Sequence, residues 1–143
     1  MDKKNRIGYT QGCFDMFHVG HLNLLNHAKE QCEELIVGVN SDALMESYKQ
    51  KRPVICQEFR RTIVENIKAV DRAYIVETLD KVEILDQIPF DVIFIGDDWK
   101  NSDRWQKTKE DLAKRGVEVV FLPYTQNVSS TMLREKKDEK VEE

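Results

Sequence analysis

The features from which function is usually read first are missing from this 143-residue sequence. It contains no G-x-G-x-x-G and no G-x-x-x-x-G-K-[ST], so the ordinary dinucleotide-binding and P-loop readings lose their main support. No G-x-S-x-G elbow and no assignable Cys-His pair is present, which removes the usual signs of a covalent nucleophile. Three cysteines, Cys13, Cys32 and Cys56, are an odd number at unrelated spacings with no C-x-x-C. They argue against a disulfide framework or a zinc site and suit a reducing compartment. No apolar run approaches the roughly 20 residues of a membrane helix, and the charged stretch Met1 to Arg6 leads into too short a run for a secretory signal. A soluble, cytoplasmic protein with no membrane partner is expected. Positive charge is not in excess either: 22 Lys and Arg against 26 Asp and Glu give a formal net charge of −4. A nucleic-acid surface built on overall basicity is thereby excluded, and any polyanion must be met by a local cluster.

What is present is a regular alternation. Apolar runs bounded by turn signals lie at Ile7 to Cys13, Leu35 to Val39, Ala73 to Val76, Val92 to Ile95 and Val117 to Leu122, and read as five strands. Helical apolar spacing lies between most of them: Leu22, Leu25, Ala28 and Lys29; Ile63, Val64, Ile67 and Val70; Trp105, Leu112 and Ala113; and a shorter stretch from about Asp80 to Gln87. Short, β-branched, continuously apolar strands suit a parallel sheet covered on both faces. The expected architecture is a single α/β domain over residues 1–134, with a doubly wound, Rossmann-like, five-stranded parallel sheet and helices on both faces. Residues 135–143 form a charged tail. Ser41 to Gln57, which carries Lys49, Lys51 and Arg52, is the longest connection and is expected to be a functional loop. In such a fold, ligands sit outside the carboxyl ends of the strands where strand order reverses.

The most informative segment follows the first strand: Gly12-Cys13-Phe14-Asp15-Met16-Phe17-His18-Val19-Gly20-His21. Two histidines three residues apart at a helix start share a face with the unpaired N–H groups of the first turn. Backbone donors, the helix dipole and two imidazoles then address one volume, which suits a phosphoryl group. A lone histidine is more often a half-buried structural residue, but a pair at this turn reverses that reading. Metal ligation by three histidines is not served by this helix, because His27 lies about 120° around it from His21.

F-D-x-x-H-x-G-H after a first strand resembles the signature of the nucleotidyltransferases of the cytidylyltransferase superfamily, and among these the chain is most similar to the bacterial glycerol-3-phosphate cytidylyltransferases, over roughly Arg6 to Arg134. The resemblance implies that Gly12, Cys13, Phe14, Asp15, His18 and His21 meet the nucleotide, with His18 and His21 catalytic. Lys49 and Lys51 match two lysines that meet the nucleotide and acceptor phosphates; the plain alternative is a solvated basic loop. Arg60 matches the arginine of an E-x-R motif that supports the site, while Lys68 stands where the family has an arginine and loses its planar fork. Lys81 matches an acceptor-contacting lysine. Gly96-Asp97-Asp98-Trp99 matches a G-D-D-W near nucleoside and acceptor, with Trp99 on the substrate side, although Asp also serves as a plain helix cap. Tyr124-Thr125-Gln126-Asn127-Val128-Ser129-Ser130-Thr131 resembles R-T-x-G-I-S-[ST]-T, a loop whose following helix start holds phosphates, or else an N-capping serine cluster. Tyr124 in place of the arginine, and Asn127 in place of the glycine, depart from the pattern and leave base identity open.

The implied activity is direct in-line attack of an acceptor's phosphate oxygen on the α-phosphorus of a nucleoside triphosphate, with release of pyrophosphate. CTP and glycerol 3-phosphate, or a similar polyol or amino-alcohol phosphate, are the expected substrates. Mg²⁺ is expected to bind mainly through substrate phosphates. Two alternatives stay open: an ATP-dependent adenylyltransferase acting on a phosphorylated cofactor precursor such as FMN, and a non-catalytic nucleotide sensor. A homodimer is implied by the resemblance alone.

Overall fold

The computed structural model describes residues 6–96 and 103–123. Asp97, Asp98, Trp99, Tyr124, Thr125, Val128, Ser129, Ser130 and Thr131, and the tail 135–143, lie outside the described residues.

Each apolar run of the sequence is a strand: β1 (Ile7–Gly12), β2 (Glu34–Asn40), β3 (Arg72–Val76), β4 (Val92–Gly96) and β5 (Glu118–Leu122). All pair in parallel, in the order β3-β2-β1-β4-β5. The helices are α1 (Val19–Glu30), α2 (Asp42–Lys49), α3 (Gln57–Glu65), α4 (Lys81–Gln87) and α5 (Asp103–Lys114). The period of two along β2 divides the interior into two layers. Leu35, Val37 and Val39 face Leu25 and Ala28 of α1 and Val64 of α3, whereas Ile36 faces the layer holding Ile84 and Leu85 of α4 and Leu112 of α5. Helices on both faces explain why β2 and β4 are buried almost throughout, whereas the edge strand β3 alternates and leaves Arg72 and Tyr74 exposed.

Two expectations need correction. The connection from Ser41 to Gln57 is not all loop, because α2 occupies its first half. Ser41 caps that helix, its hydroxyl accepting from Leu44 N at 3.0 Å, and Met45 is buried beneath it. The helical spacing through Ile67 and Val70 also overran: α3 ends at Glu65, and Val70 N turns back to Ile67 O at 2.9 Å. Ile67 and Val70 still join the core, as turn residues feeding β3.

The ladder between β1 and β4 pairs only Gly8 with Val92 and Tyr9 with Ile93, although both strands run on, to Gly12 and Gly96. Beyond Tyr9 the Thr10 hydroxyl donates to Phe94 O at 2.8 Å. By contrast, β1 stays paired with β2 as far as Gly12 and Val39. Strand order reverses between β1 and β4, so the sheet opens at its carboxyl edge where this topology places ligands. Among the described residues, no helix is long and apolar enough to cross a membrane.

Candidate functional site at the β1–β4 opening

The chain leaves β1 through a turn with two non-glycine residues in the left-handed region, Phe14 at φ 56° and Met16 at φ 49°. Such positions cost about 1–3 kcal/mol each and persist only where surroundings over-determine them. Here the surroundings are the buried Phe14 ring, which stacks on Phe17 at 6.4 Å and meets the edge of His21 at 5.4 Å. Phe14 therefore serves the site through its backbone turn and as apolar backing for His21.

His18 is the N-cap of α1, and the two imidazoles form a reciprocal cap. Nδ1 of His18 accepts from Gly20 N at 3.0 Å, and Nδ1 of His21 accepts from His18 N at 3.2 Å. A ring nitrogen that accepts has no proton, so each neutral imidazole carries its hydrogen on Nε2. The rings lie 3.9 Å apart and 24° from parallel, so the Nε2–H groups form a pair at the mouth of α1. Burial holds His21 far below the usual histidine range, at about 4, aided by His18 and opposed by Asp15; burial also lowers His18. Two uncharged N–H donors at a helix N-terminus suit phosphate oxygens.

Asp15 is buried, and its carboxylate accepts from Val54 N at 2.8 Å and from Ile55 N at 2.9 Å. Arg60, matched in sequence to an arginine that supports the site, is completely buried. Its guanidinium donates to Ile55 O (2.8 Å), Cys13 O (2.7 Å), Asn40 O (2.7 Å) and the Asp42 carboxylate (2.7 Å). It thus joins the ends of β1 and β2 to the starts of α2 and α3. Cys13 Sγ lies 3.9 Å from Arg60, but burial pushes the thiol up, so it is no activated nucleophile.

Lys49 closes α2 and Lys51 follows it, both exposed, and the charge of Lys49 is felt at Cys13. Lys81 is buried at the start of α4, donating to Leu79 O at 2.6 Å with its ammonium 5.4 Å from the centre of the Trp105 ring. Lys68 does not join the site. It sits in the turn between α3 and β3, at the amino edge of the sheet, opposite the histidines. Gln11 and Asn40 gave no sequence signal, yet Gln11 Nε2 bridges Asn40 Oδ1 (2.8 Å) and Thr78 O (3.0 Å) across the carboxyl edge. Among the described residues, no group of three His, Cys, Asp or Glu is placed to hold a metal ion.

This arrangement agrees with what the chain is similar to. The family description Cytidylyltransferase-like matches residues 9–136. The bifunctional protein HldE of Rhodopseudomonas palustris (strain HaA2) is 35% identical over 132 residues, which are 92% of this chain and 26% of that protein. HldE of Nitrobacter winogradskyi is 35% identical over 129 residues, 90% of this chain and again 26% of the relative. The chain thus spans about a quarter of the length of these relatives. The fold is shared with a lipopolysaccharide core biosynthesis protein from Thermoplasma volcanium GSS1, at TM-score 0.71 and 23% identity, covering 86% of this chain and 98% of that one. Pantothenate synthetase from Thermus thermophilus shares it at TM-score 0.65 and 16% identity, over 94% of this chain and 64% of that one. With its histidine pair at the β1–β4 opening, the chain belongs to the cytidylyltransferase-like family.

Proposed function

We propose that the chain transfers a nucleotidyl group from ATP to the phosphate of a small sugar or polyol phosphate. The observation that carries the reading is the pair of Nε2–H donors fixed at the α1 N-terminus where the sheet opens. An oxygen of the acceptor's phosphate bonds to the α-phosphorus, the bond from that phosphorus to the β-phosphate's bridging oxygen breaks, and pyrophosphate leaves with its electron pair. The imidazoles neither take nor give a proton; they donate hydrogen bonds to non-bridging oxygens that gain charge in the transition state. Lys49 and Lys51 offset the flanking phosphate charge, and Ser129 to Thr131 are assigned to the outer phosphates on the family resemblance. With both Asp15 oxygens committed to backbone N–H groups, Mg²⁺ fits this site as an ion carried in by the triphosphate rather than held in a protein cage. It would offset triphosphate charge there. A cytoplasmic location, where nucleoside triphosphates are available, and a homodimer go with the reading, the latter on resemblance alone.

Two considerations favour ATP and a sugar-type acceptor. Tyr124 in place of the arginine weakens the CTP match, and the Thermoplasma protein that shares the fold is named for lipopolysaccharide core biosynthesis. A second reading, CTP with glycerol 3-phosphate, is favoured by the Gly96-Asp97-Asp98-Trp99 match. Pyrophosphate release from ATP and from CTP, each with a sugar 1-phosphate, glycerol 3-phosphate and FMN, separates them. ATP with the sugar phosphate is expected to give the highest kcat/KM. Nucleotide binding without pyrophosphate from any pair would sink the catalytic reading in favour of a sensor.

A further inference from the structure

Asp15 presents a contradiction if it is a nucleotide ligand: a buried carboxylate beside a helix mouth that receives polyanions would oppose their binding. The geometry resolves it. Both oxygens are taken by the backbone N–H groups of Val54 and Ile55, 39 and 40 residues away in sequence. Such charge-assisted bonds are short and strong, and they spend the carboxylate's charge internally. Arg60 grips the same strand of chain from its other side, taking Ile55 O while holding Cys13 O, so the segment is fastened to the histidine turn by both its donors and its acceptors.

The fastened residues are the far end of the lysine segment. Its near end is the α2 terminus, where Lys49 is followed by Gln50 in the left-handed region at φ 57°. Between these two points Gln50, Lys51 and Arg52 are exposed. The ion pairs of Arg52 to Glu46 (3.2 Å) and Asp42 (3.9 Å) lie at the surface, where such pairs contribute little.

We propose that Asp15 is a positioning residue. It pins Val54 and Ile55 to the histidine turn, so that the short strap carrying Lys49 and Lys51 closes onto phosphates gathered at His18 and His21. The proposal rests on the transferase reading for its ligand, but its central test does not require turnover.

Trypsin reads the strap directly. It cleaves after Lys49 and Lys51, whereas the bond from Arg52 to Pro53 resists it. In the wild-type chain, ATP with Mg²⁺ is expected to slow cleavage after both lysines. Asp15→Asn replaces one acceptor oxygen by an amide that faces an N–H, so cleavage there should be about tenfold faster and protection by ATP largely lost. The nucleotide Kd should stay within about threefold, while kcat falls about 10²-fold, the scale of a 1 Å misplacement of catalytic groups. Val54→Pro removes one of the two donors without touching the buried carboxylate, and should reproduce the proteolysis result if Asp15→Asn does not fold. A tenfold or greater loss of nucleotide affinity with unchanged strap cleavage would make Asp15 a direct ligand and overturn the proposal. Wild-type cleavage and kcat in both variants, or no protection of the wild-type strap by ATP, would overturn it equally. If wild-type protein makes no pyrophosphate yet shows Asp15-dependent protection, the strap assignment stands and the transferase reading fails.

Discussion

The backbone N–H of His18 donates to Nδ1 of His21 at 3.2 Å, so the second histidine of the pair completes the helix cap that the first one begins. Capping and the proposed catalysis therefore use opposite nitrogens of the same rings, and they can be separated. Asparagine is among the best N-cap residues and places an acceptor where Nδ1 stands, but has nothing at the position of Nε2. His18→Asn is expected to melt within a few degrees of wild type while kcat falls by at least about 10², the scale of losing one preorganised donor. Turnover close to wild type in the folded variant would remove His18 from the mechanism.

Acid should weaken the fold through His21. Its pKa stands at 6.5 in the unfolded reference and at about 4 in the folded chain. Between these values the unfolded chain holds a proton that the folded chain does not. The stabilisation is therefore complete above pH 6.5 and is lost as pH falls toward 4, by about 3 kcal/mol on the usual conversion. The lowered His18 adds with the same sign. Urea titrations at pH 7 and pH 4.5 should show a smaller loss of stability for His21→Asn than for wild type; equal losses would place the acid sensitivity elsewhere.

Removing Arg60 should be among the most damaging single changes in the molecule. Its buried guanidinium serves three carbonyls and Asp42, and a methionine of similar length would leave all of them without their donor. Breaking a buried charged network from one side costs about 3–5 kcal/mol. Arg60→Met is expected to lower the urea midpoint accordingly. A loss under about 1 kcal/mol would show that water replaces the guanidinium.

A methyl group at Gly38 would collide with the Tyr9 hydroxyl and lie 2.9 Å from Cζ of the same ring. Tyr9 is fully buried and stacked on Phe90 at 4.9 Å, so the ring cannot simply withdraw. Gly38→Ala is expected to destabilise by about 1–3 kcal/mol, as overpacking does. Tyr9→Phe on the same chain should rescue only part of that loss, because the ring carbon remains in the way. Thermal melts of the two singles and the double test the pairing.

Chelation separates the metal's role in chemistry from any role in folding. EDTA in excess over Mg²⁺ should abolish pyrophosphate release while leaving the melting temperature of the ligand-free protein unchanged. A chelator-induced drop in that temperature would reveal a protein-held ion.

The strands were legible because each is a bounded run rich in apolar residues, and their ends fall within a residue or so of Ile7–Gly12, Val92–Gly96 and the others. The histidine pair was legible from spacing alone, since three residues on a helix is one face. Capping by imidazole was not, because histidine is not a common N-cap and its Nδ1 acceptance depends on the rotamer. Asp15 and Arg60 carry the same limitation. Nothing local marks Asp15 as the partner of Val54 and Ile55, and the burial of Arg60 follows from α3 packing over the ends of β1 and β2. Lys68 misled for a simple reason: a positive charge near a strand can sit at either edge, and here α3 starts at the carboxyl edge, where Arg60 is held, and runs back to the amino edge, where it leaves Lys68.

The early end of the β1–β4 ladder has a consequence for how such a chain diversifies. The opening begins where the two backbones cease to pair after Tyr9 and Ile93, so it is set by the backbone. Residues on its rim can then be exchanged to suit a different acceptor or base without first inventing a cavity, while Thr10 and its bond to Phe94 O keep the width of the parting constant.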